Sequence, residues 1–240
     1  MTRSWKRPVF ASLVAAVLAS GFSQAKDGPA PNTLTDAEKA EGWKLLFDGK
    51  TTDGWRGFKS DKMPEGWTVE GGALARTGKA GDIVSADEYA SFDLKIDWKI
   101  AEGGNSGVFY AVSEDDATVW KTGIEMQVLD DAKHHDGQSP LTSAGSCYAL
   151  YPPAKKVVRP VGEWNEARLV VKYPKVEHWL NGEKIVEYEI NSADWKKRVA
   201  ESKFKDMPKF ATNAKGRLAL QDHGDRVEYR NIKIRVLAEK

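Results

Sequence analysis

Cysteine is almost missing from this 240-residue sequence, and Cys147 is the only one. A single thiol excludes an intrachain disulfide framework and a cysteine-based metal signature, and it reads as a small packing residue rather than a nucleophile. Excess charge is missing too. The 36 basic and 35 acidic residues are interspersed and leave a formal net charge of +1, so the electrostatic footprint of a nucleic-acid binder is lacking. No run reaches the about 20 apolar residues that a membrane-spanning helix needs. Gly-rich phosphate loops, a GxSxG elbow and an HExxH pair are all absent, which removes the commonest signatures of phosphoryl transfer, serine hydrolysis and zinc proteolysis.

What is present begins with an export signal. Arg3, Lys6 and Arg7 precede an uncharged stretch from Pro8 to Gln24 rich in Val, Leu and Ala, which ends in Ser23-Gln24-Ala25. A basic n-region, a short apolar core and a small-x-small site predict cleavage after Ala25. The expected mature protein is periplasmic or secreted, with no membrane span after processing. Residues 26–40 read as a polar linker and a short helical start capped by Thr35, and residues 41–240 as one β domain.

Within that domain the apolar residues recur with period two. Phe92, Leu94, Ile96, Trp98 and Ile100 alternate with Ser91, Asp93, Lys95, Asp97 and Lys99, which predicts a strand with one buried and one wetted face. Shorter runs follow the same rule at Trp67–Leu74, Ser106–Val112, Gly123–Leu129, Ala167–Lys172, Val176–Leu180, Lys184–Glu189, Arg217–Gln221 and Val227–Val236. Asn181-Gly182 between two of them signals a hairpin. The stretch 191–205, opening on Ser192, reads instead as a surface helix. Many strands and no crossover helices imply an all-β fold, a jelly-roll sandwich of two antiparallel sheets with one or two short surface helices.

Chemistry-bearing residues gather at strand ends. In Gly123–Leu129 the apolar Ile124, Met126 and Val128 share one side, leaving Glu125 and Gln127 together on the other. A carboxyl beside an amide can grip sugar hydroxyls or exchange protons, although an ordinary polar strand face has the same spacing. The following loop holds Asp130, Asp131, His134, His135 and Asp136, and so two of the four histidines in the chain. It reads as a proton or metal site or as a solvated polar loop. Gln221 and His223 form a second polar cluster, and His178 within a strand is structural or ligand-facing. Nine tryptophans suit a sugar face packed on an indole. Most belong to the core, with Trp164 in a turn as the exposed candidate. A two-carboxylate glycosidase would place a second acid beside Glu125, and Gln127 stands there instead.

In order, LFDGKTTDGW (46–55), GNSGVFY (104–110), GIEMQVLDD (123–131), KHHD (133–136), AGSCY (144–148), GEWN (162–165), EHWLNG (177–182) and LQDHGDRVEYRNIKI (220–234) resemble the 3-keto-disaccharide hydrolase domain family. The resemblance spans nearly all of the mature chain. It implies a concanavalin-like jelly roll and cleavage of glycosides whose sugar is oxidised to a ketone at carbon 3, which links the protein to a separate sugar 3-oxidoreductase. On this reading Glu125 or His134 takes the proton at carbon 2. Asn105, Tyr110, Gln127, Trp164, His178, Gln221 and His223 bind the carbohydrate substrate. A divalent cation on Glu125, Asp131 or His134 is a possible cofactor that no ligand spacing identifies. Relatives read His-Pro-Asp at 134–136, leaving open which of His134 and His135 acts. The competing function classes are a non-catalytic carbohydrate-binding module and a surface or scaffold protein.

Overall fold

The computed structural model describes residues 1–2 and 29–238, so the export signal lies outside the described residues. Helix α1 (Asp36–Ala40) begins at Thr35 in a reciprocal capping box with Glu38, in which two otherwise orphaned backbone donors are satisfied. Thirteen strands follow: β1 (Lys44–Leu45), β2 (Trp55–Gly57), β3 (Trp67–Glu70), β4 (Ala73–Arg76), β5 (Ile83–Tyr89), β6 (Phe92–Ile100), β7 (Asn105–Val112), β8 (Ile124–Leu129), β9 (Asn165–Lys172), β10 (Lys175–Leu180), β11 (Glu183–Glu189), β12 (Gly216–Leu220) and β13 (Val227–Val236). Helix α2 (Ala193–Glu201), capped by Ser192, lies between β11 and β12.

All strand pairs are antiparallel. The larger sheet runs β11-β10-β9-β6-β13-β4-β3 with β1 added against β13, and the smaller runs β2-β5-β12-β7-β8. The expected two-sheet all-β sandwich is what forms. Between the sheets, Ile96, Trp98, Leu169 and Ile234 from one meet Tyr110, Ile124, Met126 and Leu220 from the other in one buried cluster. Burial of this apolar surface is the main force closing the sandwich.

Two features differ from the period-two reading. Trp67–Leu74 is a hairpin, because Gly71 and Gly72 both take positive φ (55° and 77°) and form the turn that glycine pairs favour. Asn181-Gly182 forms its hairpin as expected. The wetted face assigned to β6 is not wetted at Asp93, which is only 1% exposed. Its carboxylate is held by Arg168 through two 2.7 Å bonds and by Arg235 at 3.1 Å, and bidentate pairing of this kind compensates a carboxylate for lost water. Asp97 is buried likewise against Arg230 and Asn231.

Candidate active site

The outer face of the smaller sheet changes character along its strands. Val84, Ala219, Phe109 and Glu125 form one cross-strand row over β5, β12, β7 and β8. Its first three members are fully buried beneath Phe58 and Trp120, so loops roof one end of the face. Past that apolar end opens a pocket of about 360 Å³ lined by Asn105, Trp120, Glu125, Gln127, Asp136, Tyr148, Lys203, Met207, Gln221 and His223. Of the larger cavities, one has no carboxyl or carboxamide side chain in its lining, and in the other Asp97, Glu166 and Asn231 lie among Lys95, Arg168, Arg230 and Lys233.

Glu125 is held from both sides of its strand. β7 pairs with one edge of β8, and the segment after the histidine loop covers the other. There Gly145 N donates to Gln127 O, Gln127 N to Ser146 O and Tyr148 N to Glu125 O, at 2.8, 3.1 and 3.1 Å. The carboxyl lies over Gly107, where any Cβ would overlap its Oε1. Burial against Phe109 and its neighbours pushes the Glu125 pKa up to about 8; Lys203 opposes the rise, while Asp82 and Asp136 add to it. The other lining carboxyl, Asp136, is engaged by the Tyr148 hydroxyl at 3.3 Å and by His135 Nε2 at 3.3 Å.

Three carboxamides surround Glu125. Gln127 Nε2 donates to Thr142 O at 3.2 Å, which turns its oxygen the other way. Gln127 Oε1 and Gln221 Oε1 are buried without a partner among the described residues. Buried polar atoms are rarely left unpaired, and both of these belong to side chains that line the pocket.

Both ring nitrogens of His134 are tied into the loop and its neighbour. Its Nδ1 accepts from Asp136 N at 3.1 Å and caps the 3₁₀ turn His135–Gln138. The neutral ring then carries its proton on Nε2, 3.4 Å from the Asn105 carboxamide, and the logic of the network points the amide oxygen toward it. Burial and the neighbouring His135 hold the ring pKa below its usual value. His135 is exposed, and its ring lies 4.3 Å from that of His134.

The predicted site residues divide. Asn105, Glu125, Gln127, Gln221 and His223 line one pocket, with His134 behind Asn105. Tyr110 does not join them. It faces the core, with its hydroxyl 2.6 Å from that of Tyr188, because it shares strand parity with Val108 and not with Asn105. His178 is wholly buried between Gly145 O and the Tyr188 hydroxyl, and desolvation pulls its pKa down to about 4. Trp164 packs under Lys99 and Arg230 on the outer face of the larger sheet, opposite the pocket. Asp131 accepts from Ala144 N at 2.7 Å and shapes the loop. Missed by the sequence reading were Tyr148, which the AGSCY motif contains, and Trp120, Lys203 and Met207, which no motif marks.

A cation fits this arrangement poorly. The compact ligand group among the described residues is His134, His135 and Asp136, whose ligating atoms lie within 4.8 Å of one another. With Nδ1 of His134 capping a turn and Nε2 protonated, only His135 and Asp136 remain, already in contact with each other, and Glu125 and Asp131 are not part of the group.

A crystal structure of a candidate glycosyl hydrolase from Parabacteroides distasonis superposes with a TM-score of 0.82 at 39% identity, covering 87% of this chain and 100% of that one. A second from the same organism gives 0.65 at 28% identity, covering 81% and 99%. Fold and pocket together define a two-sheet β-sandwich protein with a polar pocket on the outer face of its smaller sheet. A 3-keto-disaccharide hydrolase of Bacteroides thetaiotaomicron is 33% identical over 190 residues, which span 70% of this chain and 66% of that protein. The 3-keto-alpha-glucoside-1,2-lyase-like domain matches residues 42–235, and the chain belongs to that family.

Proposed function

We propose that the protein cleaves glycosides whose sugar carries a ketone at carbon 3, using Glu125 as the proton-transfer group. The observation that carries this reading is that Glu125 is, among the described residues, the one pocket-lining carboxyl with no side-chain hydrogen-bonding partner, and amides rather than a second free acid surround it. Hydrolysis of an ordinary glycoside calls for two flanking carboxyl groups. A 3-ketone changes the requirement, because it acidifies the hydrogen on carbon 2.

The Glu125 carboxylate takes that proton, and the C–H electron pair moves into an enolate. The enolate reforms the ketone, makes a double bond between carbons 1 and 2, and expels the glycosidic oxygen, which recovers the proton from the Glu125 acid. Addition of water to the enone then gives net hydrolysis. A carboxyl with a pKa raised toward neutrality is suited to both transfers. Asn105, Gln127 and Gln221 hold sugar hydroxyls, and the roofed apolar end of the face favours a terminal sugar over the interior of a long chain. A sugar oxidoreductase must supply the ketone, and the amino-terminal sequence supports export to where the two would meet.

The test is incubation of the mature protein with an aryl 3-keto-glucoside and with its unoxidised parent, following aglycone release. Release from the keto substrate alone is expected. Release from neither, with saturable sugar binding, would make the protein a binding module.

A further inference from the structure

Lys203 is the one lysine or arginine that lines the pocket. Its Nζ sits 4.2 Å from the ring centre of Tyr148, 5.3 Å from that of Phe204 and 5.6 Å from that of Trp120. Aromatic faces of this kind stabilise a cation while offering it no hydrogen bond. It forms no ion pair within 4.0 Å and no hydrogen bond with the described residues.

The position is built into the fold. Ser202 Oγ accepts from Phe204 N at 3.1 Å to start the 3₁₀ turn Lys203–Asp206, and Phe204 stacks on Phe210 with ring centres 3.8 Å apart. The backbone is thus anchored while the side chain reaches inward. Glu125 and Asp136 act on the amine in the direction that keeps it protonated, against the effect of burial.

We propose that Lys203 is a catalytic residue whose ammonium holds the ketone oxygen of the sugar and the enolate formed from it. The inference rests on the 3-keto reading above and adds a named electrophile to it. Glu125 and Lys203 then divide the work between neighbouring atoms, the proton on carbon 2 and the developing negative charge on the oxygen of carbon 3. An ammonium waiting in a partly desolvated pocket stabilises such charge with little reorganisation. No covalent bond to the lysine is formed, and the ammonium keeps its protons throughout.

The experiment compares wild type, Lys203→Met and Lys203→Arg on aryl 3-keto-glucosides with leaving groups of graded acidity. It also follows exchange of the carbon-2 hydrogen into heavy water, with circular dichroism and Tm to confirm folding. Loss of about 100-fold or more in kcat/KM is expected for Lys203→Met. The loss should be equal for good and poor leaving groups, matched in carbon-2 exchange and partly restored in Lys203→Arg. Affinity for the unoxidised glucoside should change less than about twofold, since that ligand has no ketone.

A loss that grows as the leaving group becomes more basic would overturn the proposal by making Lys203 the acid for the departing oxygen. Borohydride trapping of a sugar adduct on Lys203 would overturn it in favour of an imine, and full activity in folded Lys203→Met would remove the residue from the reaction. Wild-type protein inactive on every keto substrate would instead refute the proposed function itself.

Discussion

Glu125 crosses the sheet onto Gly107, and its Oε1 occupies the space where any other residue at 107 would place a Cβ. The nearest cross-strand partner of Gly107 is Gln127, so one missing side chain opens the floor on which acid and amide meet. Phe109 Cε2 closes the same space from the other side, 2.8 Å from that Cβ position. Glycine at 107 is therefore required by the site and not by its backbone angles.

Gly107→Ala tests that relationship. The variant should remain folded, with Tm within a few degrees of wild type, and lose at least about tenfold in turnover because displacement of the carboxyl spoils its alignment. Kinetics and thermal melting measured together check this, and unchanged turnover would show that the carboxyl can act from elsewhere.

Glu125→Gln should lower turnover by about 100-fold or more, the usual scale of a positioned acid or base. In wild type, the rate should rise with pH until the group ionises near 8, and that dependence should vanish from the residual activity of the variant. A profile flat between pH 6 and about 9 would exclude Glu125 as the base.

The same group makes stability depend on pH. Its folded pKa, about 8, exceeds the reference value of 4.5, so the folded protein keeps a proton that the unfolded chain releases between those values. Its contribution to stability is complete below about pH 4.5 and is lost as pH rises through about 8. The difference in Tm between Glu125→Gln and wild type should therefore grow in favour of the variant across that window. A constant difference would contradict the buried setting of the carboxyl.

His134→Asn and His134→Ala separate a positioning role from a catalytic one. Asparagine is a good cap for a turn and should keep turnover within about tenfold of wild type, whereas alanine abandons both the cap and the donor to Asn105 and should lose more. If His134 were the base, both variants would fall to the same floor as Glu125→Gln.

Asp93→Asn probes the back of the sandwich. Neutralising this buried carboxylate leaves the Arg168 guanidinium without its anionic partner and Arg235 with Glu41 alone, and broken buried pairs cost about 3–5 kcal/mol. Both arginines are partly exposed, so about 3 kcal/mol is expected in urea unfolding, with turnover unchanged.

Much of this was legible in the sequence, for reasons that individual residues make clear. Alternation located most strands because each sheet has one face in the core, and Glu125 and Gln127 stood out because Ile124, Met126 and Val128 fix the parity of β8. The same parity argument applied to β7 places Tyr110 beside Val108 in the core, and Gly71-Gly72 carried a turn signal inside what read as one run. The rest depended on long-range packing. No pattern reveals that Asp93 meets Arg168 and Arg235, that Trp164 covers the opposite face, or that Lys203 reaches the pocket from a turn more than 70 residues beyond the strand of Glu125.

Cys147 lies in the segment that covers the free edge of β8, where Met126 bridges to it, and burial raises its thiol to about 12. A thiol so protonated and enclosed is inert to alkylating reagents until the segment lifts. Because the chain has no second cysteine, the rate of modification under native conditions is a clock for that one opening event. It can be read without introducing a probe, at the place where the backbone of Glu125 is secured.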